Sequence, residues 1–184
     1  MNQLIKQYEG VLTQQQCSNL IHLFEDNPSS VERIENDGHP QFSQINWTAL
    51  GTSEELHHQV CGALQQSFNR YFTDIRGQVP SIENYLPEKN GWEQLRIKKY
   101  YKDKGDIFKW HVDVQNHATA RRYLAGFIYL NDVKKGGHTS FGNVAFTPEM
   151  GKMVIFPPMW MFPHAGQPPI SNDKYLLSTY LHYV

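Results

Sequence analysis

Apolar positions follow a helical period early in the chain and a strand period later. Cys17, Leu20, Ile21 and Phe24 recur at the spacing of one helix face, behind a Thr13 that can cap the segment and ahead of a Pro28 that stops it. A longer stripe, Leu56, Val60, Leu64, Phe68, Phe72 and Ile75, starts behind Ser53, has acids at 54 and 55, and ends at Gly77 and Pro80. Acidic side chains in a first turn complement the helix dipole, so a second helix is expected there with this stripe as its packing face. Between the two, residues 29–51 carry Pro, Gly, Asn and Asp without a clear period and predict loop with at most one short strand.

From Gly91 the rhythm shortens. Segments 92–101, 107–113, 122–131, 138–146, 152–157 and 174–184 are rich in aromatic and β-branched residues, with turns such as Lys102-Asp103-Lys104-Gly105 and Ser171-Asn172-Asp173 between them. Such spacing predicts a mainly β fold, an antiparallel sandwich or barrel with the N-terminal helices buttressing one face. No repeat or linker divides the chain, so a single domain over residues 1–184 is expected, with helical support in 1–90 and the β core in 91–184.

Charge narrows the list of partners. With 17 basic and 18 acidic side chains in 184 residues, the net charge of −1 gives no reason to expect nucleic acid or an anionic membrane. Met1 to Tyr8 has no leader pattern and no stretch is apolar enough to span a bilayer, so a cytoplasmic protein is expected. Cys17 and Cys61 each stand alone in helical contexts, which excludes a four-thiolate zinc site and predicts reduced core thiols. Nine histidines then direct any metal chemistry toward nitrogen and oxygen ligands.

Within the strand region, His111-Val112-Asp113 places an imidazole and a carboxylate on one face of one strand. An isolated pair of this kind is commonly a surface feature. Here it follows the aromatic run Ile107-Phe108-Lys109-Trp110 and precedes, 51 residues beyond Asp113, the sequence Pro163-His164-Ala165-Gly166. Two imidazoles and one carboxylate make a facial triad suited to non-haem Fe(II) with open positions. Beyond Lys152 there is a single cation, Lys174, ten residues past His164 and at the head of a strand whose alternation groups Lys174, Leu176, Ser178 and Tyr180. If that face points inward, a lone buried ammonium needs an anion, and a dicarboxylate would supply one. The alternative is a Lys174 that leaves the Asn172-Asp173 turn for water.

Taken in order, His111-Val112-Asp113, the run Tyr123–Asp132, Gly136-Gly137-His138-Thr139-Ser140-Phe141, Pro163-His164-Ala165-Gly166 and Lys174 resemble the 2-oxoglutarate- and Fe(II)-dependent dioxygenases, specifically the prolyl 4-hydroxylase-like branch. The likeness is close over residues 91–184 and looser before them. It implies a double-stranded β-helix, a cupin-like jelly-roll barrel, with iron held by His111, Asp113 and His164. By the same match Lys174 takes the distal carboxylate of 2-oxoglutarate, Tyr129 donates to that carboxylate, Ser178 faces the same pocket and Tyr101 lies near it, Tyr100 being the alternative after a one-residue shift.

The activity implied is hydroxylation of an unactivated C–H bond with release of succinate and CO2. Fe(II), 2-oxoglutarate and O2 are the reactants, and ascorbate an auxiliary. The resemblance points to a peptidyl proline in an extended segment, lying against Trp110, Trp160 and Phe162. A free amino acid or small metabolite, or a non-catalytic cupin-like metal-binding module, are the competing readings. Nucleic acid is disfavoured because no Arg follows Arg122. His138 stands where relatives commonly have Glu and is expected on the strand surface, and His22, His39, His57, His58, His117 and His182 are assigned structural roles.

Overall fold

A computed structural model describes residues 2–36 and 40–184; the expectation for His39 lies outside the described residues. In chain order the elements are β1 (Lys6–Tyr8), α1 (Gln14–Glu25), β2 (Glu32–Glu35), β3 (Gln41–Asn46), α2 (Trp47–Leu50), α3 (Glu54–Arg76), β4 (Asn90–Trp92), β5 (Arg96–Tyr100), β6 (Phe108–His111), β7 (Arg122–Tyr129), β8 (Thr139–Phe141), β9 (Val144–Phe146), β10 (Met153–Phe156), β11 (His164–Gly166) and β12 (Lys174–Tyr183).

Both long helices begin where the sequence places them. Thr13 forms a capping box with Gln16: its hydroxyl accepts from the Gln16 backbone N–H at 3.2 Å and its own N–H donates to Gln16 Oε1 at 2.9 Å. Ser53 occupies the corresponding position before α3 but is left-handed, with φ 59°, and its side chain makes no capping bond. That helix start therefore rests on the acidic first turn, Glu54 and Glu55, and on packing of its apolar face.

The strands form two antiparallel sheets. The larger runs in the order β1-β10-β7-β12-β5-β3-β2, with β4 paired to the end of β12, and the smaller runs β6-β11-β8-β9. Leu20, Phe24, Val60, Leu64 and Phe68 pack with Ile97, Leu124, Ile128, Leu177 and Leu181, so the helices cover the outer face of the large sheet. Full burial of such side chains stabilises by about 1.5–3 kcal/mol each. At Gly126 a Cβ would lie 2.7 Å from Phe68 Cζ and 2.7 Å from Met153 Cε, so the absence of a side chain lets α3 come close to the sheet. Between the sheets, Ala125, Tyr129, Val154 and Phe156 meet Phe141 and Phe146 of the small sheet. This is the expected mainly β jelly roll buttressed by helices.

The N-terminal half also contributes strands. Residues 29–51, expected as loop with at most one short strand, contain β2, β3 and α2, and β1 pairs with β10. The β2–β3 hairpin sits at the sheet edge, where Glu32–Glu35 is too polar and too short to show a burial period. Residues 1–90 thus supply sheet as well as the expected helical support. No described helix is long and apolar enough to cross a membrane.

Candidate active site

The register of the small sheet creates the central cluster. β11 pairs antiparallel with β6 so that His164 lies opposite His111, while Asp113 follows two residues after His111 and is anchored by its N–H donating to Pro158 O at 3.1 Å. Each histidine has one ring nitrogen fixed by a backbone carbonyl: His111 Nδ1 donates to Lys109 O at 2.7 Å and His164 Nδ1 to Phe162 O at 3.2 Å. Because a carbonyl can only accept, both rings present an unprotonated Nε2 toward Asp113. Those atoms lie 3.6 Å from Asp113 Oδ1 and Oδ2 respectively, beyond hydrogen-bond distance, and the three ligand atoms are all within 4.8 Å of one another.

His111 Nε2 is buried and has no hydrogen-bond partner among the described residues. A desolvated lone pair of this kind is costly unless something else binds it, and a divalent cation between two imidazoles and a carboxylate does so. The protonation states agree. Burial pushes His164 down to about 4, leaving it neutral. Burial raises the Asp113 carboxyl, but the facing imidazoles of His111 and His164 and the Lys98 amine outweigh it and hold the group near 2. A neutral His164, an ionised Asp113 and the orphaned Nε2 of His111 fit a facial Fe(II) site.

Behind the triad lies a pocket lined by Tyr100, Thr139, Gly166, Lys174, Leu176 and Ser178. Alternation along β12 puts Lys174 inward as anticipated, and it is among the most buried side chains at 1% exposure. Its ammonium donates to Gly137 O at 3.0 Å and lies 4.2 Å above the Tyr100 ring; among the described residues no carboxylate pairs with it. Burial alone therefore pushes its pKa down to about 7. Ser178 lines the same wall.

Two tyrosines are placed differently from expectation. Tyr101 falls on the opposite face from Tyr100, packed under the amines of Lys99 and Lys104 at 4.4 and 4.3 Å, because side chains alternate along the strand it extends. Tyr100 takes the pocket position, paired in register with Lys174, and its hydroxyl makes no hydrogen bond among the described residues. Tyr129 is fully buried behind the wall, its hydroxyl 2.7 Å from Thr139 Oγ1 and 3.1 Å from Phe146 O. Its one proton is committed there, so the group that reaches the pocket is Thr139. Phe162 is also buried in the core, while Trp110 and Trp160 are exposed as expected. His138 is not part of the metal-ligand cluster.

Other residues around the triad have no short-range sequence signal. Tyr180 donates to Asp113 Oδ1 at 3.0 Å, and Arg122, ion-paired to Glu93 at 2.6 Å, donates to the Asp113 backbone carbonyl at 3.3 Å. Lys98 lines the pocket beside Asp113. Only inward alternation on β5 and β12 could have marked Lys98 and Tyr180.

Residues 95–182, which include every element of this site, match the family model of the 2OG-Fe(II) oxygenase superfamily. The match covers nearly half of the chain, so this part is similar to that superfamily. The chain is 24% identical, over 212 aligned positions, to prolyl 4-hydroxylase 2 of Arabidopsis thaliana, with 95% of this chain covered; the chain spans 66% of that relative's length. Its fold is similar to the viral collagen prolyl hydroxylase of Paramecium bursaria Chlorella virus-1, solved with 2OG, with a TM-score of 0.72 at 18% identity, covering 98% of this chain and 97% of that one. A Pseudomonas putida prolyl-4-hydroxylase superposes with a TM-score of 0.69 at 15% identity, covering 98% and 92%. A Trichoplax adhaerens prolyl hydroxylase, solved with a hypoxia inducible factor peptide fragment, gives 0.67 at 13% identity, covering 97% and 83%. Fe(II), 2-oxoglutarate and dioxygen are the reactants of the superfamily.

Proposed function

We propose that the protein, as one domain over residues 1–184, is a Fe(II)- and 2-oxoglutarate-dependent dioxygenase that hydroxylates an unactivated C–H bond of a peptidyl proline. The reaction balances as 2-oxoglutarate, O2 and R–H giving succinate, CO2 and R–OH. The observation that carries the reading is the unpartnered Nε2 of His111 converging with His164 Nε2 and the Asp113 carboxylate, in front of a buried ammonium that no protein anion neutralises.

His111, Asp113 and His164 hold the iron, and three protein ligands leave room for a chelating 2-oxo acid and for oxygen. Bound iron supplies the activation of O2 and the oxidising power for the C–H bond. The protein's own side chains do the positioning. Lys174 pairs with the distal carboxylate of the cosubstrate, and the free Tyr100 hydroxyl and the Thr139 hydroxyl complete its hydrogen bonds. Ser178 lines the wall of the same pocket. Leu176, Phe127 and Phe156 keep that chamber apolar, which strengthens the ion pair and excludes water.

The prolyl hydroxylases among its relatives favour a peptide substrate, and the exposed Trp110 and Trp160 offer an extended segment apolar surface. The free thiols of Cys17 and Cys61 fit a cytoplasmic setting. Succinate release from 2-oxoglutarate with Fe(II), read together with bound-metal content, tests the assignment. Expected outcomes are loss of iron retention in His111→Ala and, in Lys174→Met, retained iron with a raised KM for 2-oxoglutarate. Iron-loaded, folded protein that releases no succinate would falsify it.

A further inference from the structure

The inner pocket contains a second lysine that the cosubstrate does not require. Alternation on β5 turns Arg96, Lys98 and Tyr100 inward, and Lys98 lies at the junction between the chamber around Lys174 and an outer cleft of about 260 Å³. That cleft is walled by Phe42, Gln44, Arg96, Asn116, Thr119 and Arg122 and opens onto His111 and Asp113. Among the described residues the Lys98 ammonium makes no hydrogen bond and no ion pair; its one close partner is the Phe42 ring, 5.0 Å away. Burial pushes its pKa down to about 8, as expected for a cation without a counter-ion.

The charges around it do not balance. Three cations, Arg96, Lys98 and Arg122, face the cleft, and Glu93 is the acid they share. Arg122 holds it at 2.6 and 2.9 Å, and Arg96 lies 4.0 Å away. Asp113 is the second acid whose field reaches Lys98, so three cations face two carboxylates. The arginines are thereby partly neutralised, and Lys98 is left as a single unpaired positive charge beside the reacting position. A monoanion matches one such cation.

We propose that Lys98 binds a carboxylate carried by the primary substrate, so that the hydroxylated carbon lies next to an acidic group. This rests on the dioxygenase reading above and deepens it. The carboxylate has two sources: an acidic residue beside the target proline in a peptide, or the α-carboxylate of a free amino acid.

The experiment uses full-length protein loaded with Mn(II) and saturated with N-oxalylglycine. Calorimetry then compares two probe pairs, the capped peptides Ala-Pro-Asp and Ala-Pro-Asn, and L-proline and L-prolinamide. The acid member of one pair should bind at least about tenfold tighter than its amide. A preference in the peptide pair assigns the carboxylate to a neighbouring residue, and one in the proline pair to the amino acid itself. Lys98→Met should erase that ratio while leaving amide binding unchanged, and Lys98→Arg should keep it. Equal binding of both members in both pairs, binding of neither, or a Lys98→Met variant that loses 2-oxoglutarate instead, overturns the proposal. Succinate release by the wild-type Fe(II) enzyme without any probe reports separately on the dioxygenase reading.

Discussion

The Tyr180 hydroxyl donates to Asp113 Oδ1 at 3.0 Å, and the Tyr180 ring is itself covered by the Arg122 guanidinium at 4.0 Å. A ligating carboxylate held this way keeps its second oxygen directed at the metal position, and loss of such an outer partner costs about tenfold or more in metal affinity. Tyr180→Phe keeps the ring and its packing, so the fold should persist while metal affinity falls by that order. Titration of the metal-free protein with Mn(II) measures it, and an unchanged Kd would show that Asp113 is positioned by the backbone alone.

Lys174 makes stability depend on pH in a particular direction. Its folded pKa is lowered to about 7 from 10.5, so between those values the unfolded chain binds more protons than the folded one. Stability of the cofactor-free protein therefore rises as pH climbs through that window, with a limiting slope of about 1.4 kcal/mol per pH unit. Denaturant unfolding at pH 7 and pH 9 should show a larger rise in the wild type than in Lys174→Met, where the lowered Lys98 still contributes. A dicarboxylate that pairs with the ammonium reverses the preference, so 2-oxoglutarate binding at pH 8 should take up protons, detectable by calorimetry in buffers of different ionisation enthalpy.

Three tyrosines close in sequence or in expected role should behave differently. Tyr100→Phe removes a hydroxyl that faces the cosubstrate pocket and should raise the KM for 2-oxoglutarate several-fold. Tyr129→Phe strands the Thr139 and Phe146 acceptors in the core and should lower stability by about 1–2 kcal/mol with a smaller effect on KM. Tyr101→Phe, on the other face, should change neither. Melting temperatures and steady-state kinetics on the three variants separate these outcomes; a KM effect confined to Tyr101→Phe would contradict the placement.

The turn that feeds β6 is held by an ion pair. Asp106 is fully buried, accepts from Arg33 through both oxygens at 2.7 and 2.8 Å, and also accepts from the Tyr101 N–H at 3.0 Å. Arg33 comes from the edge hairpin, so this bridge ties β2 to the strand that carries His111. Asp106→Leu removes two charge-assisted hydrogen bonds from a guanidinium that stays partly exposed and 3.8 Å from Glu35, and should destabilise by about 1–3 kcal/mol. Chemical denaturation checks the size, and a loss below about 1 kcal/mol would mean that water takes over the role of Asp106.

How much was legible in the sequence depended on whether a signal was local. His111 and Asp113 share a strand face, and Lys174 begins an alternating strand, so their directions follow from a period of two. Helices α1 and α3 were readable because their apolar stripes repeat over several turns. The β2–β3 hairpin was not, since an edge strand such as Glu32–Glu35 has no buried face to impose a period. The partners of Tyr129 were not legible for another reason: inward orientation follows from alternation, but what its hydroxyl meets depends on Thr139 and Phe146, which the sheet packing brings to it. Tyr100 and Tyr101 differ by one residue, and one residue is a change of face. Lys98 shows the same limit, because its lack of a partner is a property of everything around it.

The coordinating imidazoles are clamped before any ion arrives. Phe108 stacks on His111 with ring centroids 3.4 Å apart and planes 7° apart, and Phe141 stacks on His164 at 5.2 Å and 23°. With the rings also tethered through Nδ1, contacts within the protein orient both imidazoles. The ion is a tenant rather than a staple: a chelator should empty the site without unfolding the chain, and reloading should need no refolding step. Such a rigid nitrogen and oxygen seat has little means of refusing Co(II), Ni(II) or Zn(II), which bind similar ligands as well or better. An ion bound there would then follow supply, and the fraction carrying iron would report how much iron the surroundings offer.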